Sequence, residues 1–260
     1  MSIRRIALVS RNYRIAGQDG RWDFSNDLAA INRRCDEEGC DTILYALYSW
    51  DVGSRHVRDH DAIFDSLSRV ERVILEVGAL DSAPGFGGDE LVVEAWTRGE
   101  REPRAMRQQF GRFDELNPVL GTGFVRALPE RRVDDSVVAI CGEVNIVKLQ
   151  RGGGEFYDPY CAMPQLRTLA PIILNPIHDY MTRYEMREKR RFFSLKGHTV
   201  ISVWNQGKRH AEGRPKYEAA LPWTVFHDGR ELTEQVTELR HPIHDRPDIR
   251  IGLFDLETSH

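Results

Sequence analysis

Residues 137–145 read Val137-Val138-Ala139-Ile140-Cys141-Gly142-Glu143-Val144-Asn145. An apolar, β-branched run ends in a cysteine, a glycine and an acid. Short and wholly apolar, the run reads as a strand buried on both faces. Gly142 permits a sharp turn directly after it. In layered α/β proteins ligands sit beyond the carboxyl ends of strands, and a thiol delivered there can meet a bound carbonyl carbon. A cysteine attacks as its thiolate and needs only a base or a positive surrounding to do so. The competing reading makes Cys141 a small apolar core residue.

The same signature recurs to either side. Arg5–Val9 (RIALV), Thr42–Leu47 (TILYAL) and Glu71–Val77 (ERVILEV) read as short buried strands. Between them, Phe24–Glu38 spaces Leu28, Ile31 and Cys35 along one helical face, with Ser25 or Asn26 as cap and Gly39 as stop. Asp61–Val70 does the same with Ile63, Leu67 and Val70. This alternation predicts an α/β layered fold. Further on, Leu91–Thr97, Phe124–Leu128, Pro171–Leu174 and Thr199–Trp204 read as strands, and Tyr180–Leu195 as a charged helix. Trp223–Phe226 and Glu234–Leu239 flank Asp228-Gly229 as a hairpin, and Ile249–Asp255 closes the chain. With no linker composition and no internal repeat, residues 1–260 read as one domain built from two halves.

Composition narrows the function classes. The 260 residues carry a net charge of −4, with 41% hydrophobic residues and a mean hydropathy of −0.47. Near-balanced charge favours neither nucleic acid nor an anionic membrane as partner, and no apolar run reaches the ~18–20 residues that span a bilayer. The opening MSIRRIALVSRNY lacks the apolar core of a signal peptide, so a cytosolic protein with reduced thiols is expected. Cys35, Cys40, Cys141 and Cys161 are too few for a disulfide scaffold and fit no zinc spacing. Gly152-Gly153-Gly154 lacks the lysine of a P-loop, and Arg183–Arg191 interleaves Glu185 and Glu188 as a solvated or interface helix does. Neither metal nor cofactor is expected. Of 36 Lys and Arg only five are lysine, at 148, 189, 196, 208 and 216, so any mechanism that needs a lysine in the first 147 residues is excluded.

The order of these segments resembles the nitrilase, or carbon–nitrogen hydrolase, superfamily over nearly the whole chain. RRIALVSRN, EEGCDTILYAL and VILEVGAL are similar to its first three strands, and VVAICGEVN to the strand that carries its nucleophile. PIILNPIHD, EMREKRRFFSLKGHTVISVWNQG and WTVFHDGRELTE resemble its later strand, Arg-bearing helix with following strand, and late hairpin. The resemblance implies a four-layer α-β-β-α sandwich, attack on a small amide or nitrile by a Glu–Lys–Cys set, and a homodimer.

The sequence departs from that set twice. Where the Glu belongs, TILYAL runs into Leu47 and Tyr48, and no lysine precedes Lys148. Three accounts follow. In a rearranged enzyme, Cys141 attacks, one of Asp51, Glu76, Glu94 or Glu143 serves as acid, and an arginine such as Arg104 or Arg107 replaces the lysine. In a second account, the fold persists as a binding or scaffold protein without catalysis. In a third, Gly142-Glu143-Val144-Asn145 matches the Gly-Asp-x-Asn of metal-dependent phosphodiesterases of similar layering. The residues carried forward are Cys141, Glu143 and His178 as catalytic, His178 being the substitute base. Tyr48, Trp50, Arg107, Asn145 and Asn175 are carried as substrate-contacting.

Overall fold

A computed structural model describes residues 2–15, 24–51, 60–78, 92–112, 115–150, 154–178, 184–207 and 221–256. The first half runs β1 (Arg5–Arg11), α1 (Leu28–Glu37), β2 (Thr42–Tyr45), β3 (Trp50–Asp51), α2 (His60–Phe64), β4 (Arg72–Gly78), β5 (Val92–Thr97) and β6 (Arg104–Met106). The second runs α3 (Pro118–Ala127), β7 (Arg132–Val133), β8 (Ser136–Val138), β9 (Lys148–Leu149), β10 (Phe156–Tyr157), α4 (Ala162–Leu169) and β11 (Ile172–Ile177). It continues through α5 (Tyr184–Ser194), β12 (Thr199–Trp204), β13 (Trp223–His227), β14 (Arg230–Glu231), β15 (Thr237–Glu238) and β16 (Ile249–Asp255). No helix among the described residues is long and apolar enough to cross a membrane.

The strands form an eight-stranded sheet, β15-β16-β1-β2-β4-β5-β6 with β3 added beside β4, and a six-stranded sheet, β14-β13-β12-β11-β8-β7. Each has a parallel centre, β1-β2-β4 in one and β8-β11-β12 in the other. Alternation along the strands explains the layering, because successive side chains face opposite ways. Ile6, Leu8, Leu44 and Ile74 meet Val138, Ile140, Leu174 and Ile201 between the sheets. Ala7, Val9, Ile43, Val73 and Leu75 face outward onto Leu28 and Ile31 of α1 and Ile63 of α2. On the far side Val137, Ala139, Ile173 and Val200 pack on Phe124 of α3, Leu166 of α4 and Phe193 of α5. The result is α-β-β-α, and strands covered on both faces explain the continuous apolar runs.

Several elements depart from the sequence expectation. Phe124–Leu128 is the end of α3 rather than a strand, because Asn117 accepts from Val119 and Leu120 N–H and Pro118 occupies the first turn. The cap of α1 is Asp27, not Ser25 or Asn26, and its carboxylate pairs with Arg246. The helix of Asp61–Val70 shortens to α2, since Asp36 accepts the N–H groups of Ser68, Arg69 and Val70 and holds them as a loop. The hairpin partner of β13 is β14; the 237–238 pair joins the other sheet.

The carboxyl ends of the two parallel centres meet. Ser10 Oγ donates to the Trp204 carbonyl at 2.7 Å, and Asn205 Nδ2 to that of Leu47 at 2.7 Å. Leu47 N–H reaches the Ile177 carbonyl at 3.3 Å. The carboxyl ends of β1, β2, β11 and β12 therefore converge.

Candidate active site

Three chemistry-bearing side chains come together at this convergence. Glu76 shares the parity of Ile74 in β4, so it points into the space between the sheets. His178 follows β11 and has the parity of Leu174. Its Nε2 lies 2.7 Å from Glu76 Oε1, and Cys141 is near enough to act on the charge of its imidazole. Glu76 Oε2 accepts the Tyr48 N–H at 2.7 Å. Burial works against a charged imidazole, but the Glu76 carboxylate and its hydrogen bond, with Cys141 beside them, outweigh it, and the pKa of His178 rises from 6.5 to about 10. The Tyr48 ring covers the imidazole, with centroids 4.6 Å apart and planes tilted 45°.

The backbone presents the thiol deliberately. Cys141 has φ +46°, the left-handed region that costs a side-chain-bearing residue roughly 1–2 kcal/mol. It opens a 3₁₀ turn, Cys141–Ile146. A Cβ on Gly142 would lie 1.9 Å from the Gly111 carbonyl oxygen, so only glycine fits there. Asn175 Nδ2 donates to the carbonyls of Ala139 at 2.5 Å and Cys141 at 3.2 Å. The thiol itself remains partly exposed.

Beneath the turn lies a second polar set. Glu143 has no exposed surface and accepts a two-pronged contact from Arg131, Nη1 at 2.6 Å and Nη2 at 2.9 Å. It also accepts the N–H groups of Ile140 at 2.7 Å and Gln109 at 2.8 Å. Asn145 donates to the Gly111 carbonyl and accepts from Lys189 Nζ, both at 2.7 Å.

No family model and no curated protein matches the sequence. Solved structures do. The whole chain aligns with 44% of a glutamine-dependent NAD(+) synthetase from Cytophaga hutchinsonii, at 12% identity and a TM-score of 0.50, so it spans less than half of that protein. Nit3 of Saccharomyces cerevisiae, a member of branch 10 of the nitrilase superfamily, aligns over 98% of this chain and 91% of its own at 11% identity and TM-score 0.49. An amidase from Nesterenkonia sp. AN1, solved with the acetamide moiety of fluoroacetamide added covalently at its active-site cysteine, aligns over 98% and 91% at 12% identity and TM-score 0.48.

The fold is nitrilase-like.

Within this nitrilase-like frame the residues singled out from sequence take different places. His178 lies near Cys141, and among the candidate acids with described side chains it is Glu76 that reaches the imidazole. Glu94 instead accepts the Trp96 indole N–H at 3.0 Å on the outer face. The side chain of Asp51, the residue Asp179 beside His178, and the loop glycines Gly152 and Gly153 lie outside what the structure describes. The Glu143 carboxylate is occupied by Arg131 and two N–H groups. The Asn175 amide reaches the carbonyls of Ala139 and Cys141, and the Asn145 amide the Gly111 carbonyl and Lys189. Trp50 packs among Phe24, Tyr45 and Ile63 behind the eight-stranded sheet, away from the site. Arg107 has an exposed side chain, and Arg131 Nη2 reaches its carbonyl at 2.6 Å. Tyr48 touches the imidazole, as a wall residue. The phosphodiesterase account loses its acid to Arg131, and no group of acids, histidines and cysteines suited to a metal ion occurs among the described residues.

Proposed function

We propose that the chain is a cysteine-dependent hydrolase of small amides or nitriles. Cys141 is its nucleophile, His178 its proton carrier and Glu76 the acid that orients and charges the imidazole. The observation that carries this reading is the Glu76–His178 pair set beside Cys141 where parallel strands of both sheets end. An imidazolium beside a sulfur favours the thiolate, the attacking form.

On an amide, the sulfur adds to the carbonyl carbon and forms a C–S bond. The C–N bond then breaks as His178 gives its proton to the departing nitrogen. Water attacks the thioester and passes a proton back to His178. The C–S bond breaks, releasing the carboxylic acid and restoring thiolate and imidazolium. Glu76 keeps the ring in place, as the third member of such sets does.

The test is alkylation of Cys141 by iodoacetamide together with ammonia release from a panel of primary amides and nitriles. The expected results are alkylation of Cys141 faster than of a free cysteine at pH 7, ammonia release from at least one compound, and loss of both in Cys141→Ala. A His178→Asn variant should slow alkylation at least tenfold. Alkylation no faster than that of free cysteine, with no ammonia released, leaves the scaffold account standing and ends this one.

A further inference from the structure

Arg190, on α5, has no exposed surface. Its Cζ stands 5.4 Å over the Trp204 ring, and its Nη1 donates to Thr224 Oγ1 at 3.2 Å. Its Nε and Nη2 are buried without a hydrogen-bond partner. A guanidinium is always a multiple donor, and burying one without an acid beside it is costly unless another negative charge balances it.

The surroundings show where that charge belongs. Thr224 is the cross-strand partner of Ser202. Ser202 Oγ donates to Asn175 Oδ1 at 3.2 Å, and Asn175 Nδ2 holds the carbonyls of Ala139 and Cys141. The guanidinium therefore sits one polar layer behind the turn that presents the thiol. The charges that bear on it are Glu231 of β14, Arg187 of its own helix, and Cys141. Glu231 is already paired with Arg187. On the other side of the thiol, Glu76 and His178 are paired with each other. Among the described residues whose charge bears on Arg190, the sulfur of Cys141 is left to carry the balancing charge. Burial lowers the pKa of Arg190 to about 10, with Glu231 and Cys141 opposing the fall, so it stays charged at neutral pH.

We propose that Arg190 is a positioning residue whose buried charge, set behind the nucleophile turn, favours the thiolate of Cys141. The inference rests on Cys141 being the nucleophile and adds the cation that holds it ionised.

The experiment follows Cys141 alkylation by iodoacetamide against pH, using peptide mapping to separate it from the exposed Cys161, with Cys141→Ala as blank. In Arg190→Met and Arg190→Gln the midpoint of the profile should move up by about one unit, so the rate at pH 7 falls about tenfold. Arg190→Lys should restore most of it. Arg191→Met, one residue along, should leave the profile unchanged, because Arg191 is half-exposed and paired with Glu188. The melting curve of each variant shows that it is folded, so that a changed profile is read at the thiol. A folded Arg190→Met or Arg190→Gln variant with the parent's profile overturns the inference while leaving the nucleophile intact. A parent in which Cys141 alkylates no faster than Cys161 overturns the nucleophile reading, and this inference with it.

Discussion

The Glu143–Arg131 pair separates a structural acid from a catalytic one. Glu143→Gln keeps the shape and the acceptor for the Ile140 N–H, but leaves Arg131, 3% exposed, facing a neutral amide. Breaking a buried ion pair from one side costs about 3–5 kcal/mol, because the surviving charge is stranded. The pair itself is not a source of great stability. Burial pushes the Glu143 carboxyl above its usual 4.5, and Arg131 with the N–H groups of Gln109 and Ile140 only partly opposes this. A folded pKa above the unfolded one means that its contribution is present at low pH and declines as pH rises through the folded value. Most of the single-mutant cost therefore comes from the orphaned guanidinium, and removing it too should recover much of the loss. The assay is urea unfolding of Glu143→Gln, Arg131→Met and the double variant. The double should be at least ~2 kcal/mol more stable than the sum of the singles allows. Additivity within ~0.5 kcal/mol refutes the pairing argument. A Glu143→Gln protein of parental stability that no longer alkylates at Cys141 refutes the anchor role and returns Glu143 to catalysis.

Gly142→Ala should cost more than ~4 kcal/mol or abolish folding, because its Cβ would meet the Gly111 carbonyl at 1.9 Å and both sides are backbone; a melting temperature within a few degrees of the parent contradicts the close approach. Tyr48 combines φ +63° with a ring on His178, so Tyr48→Phe should alkylate like the parent while Tyr48→Gly, relieved of strain but lacking the wall, should alkylate severalfold more slowly; equal rates remove the wall role. The charge on His178 adds stability that is complete below 6.5 and lost as pH rises through about 10. The parent should therefore lose more stability than His178→Asn between pH 7 and 10 in denaturant titrations, and parallel curves contradict the pairing with Glu76.

The layers were legible because both faces of the central strands are covered. IALV (6–9), VIL (73–75) and VVAI (137–140) carry no polar interruption, and their alternate residues divide between the inner and outer cores. Glu76 had a signal of the same kind: an acid two residues after Ile74 in an otherwise apolar strand must point inward and find a partner. It stood among the candidate acids but was not chosen, since parity names the face and not the neighbour across it. Arg131 and Arg190 carried no such signal. They look like the other arginines of a lysine-poor chain, and their roles arise from contacts that only the folded chain makes. The misreading of Phe124–Leu128 is local: Asn117-Pro118 announces a helix, and the apolar triplet that follows overrode it.

The scarcity of lysine has a mechanistic consequence once the site is assembled. Among the described residues, Arg131 and Arg190 stand behind the Cys141 turn, and guanidinium groups hold charge without releasing protons. Lys189 donates to Asn145 and pairs with Glu185 at 3.0 Å, which ties it to the support of the turn. Glu143 is locked by Arg131, and Glu76 by Tyr48 and His178. Among the described groups at the site, this leaves His178 to carry a proton between sulfur and leaving group. A base from the facing sheet, held by an acid one strand over from where TILYAL ends, is a different solution from a carboxylate at that strand end. It makes one residue serve as acid in the first half-reaction and base in the second. The rate should then follow a single ionisation of His178 on its alkaline side, and a second alkaline break persisting in Arg190→Lys would show that another group shares the task.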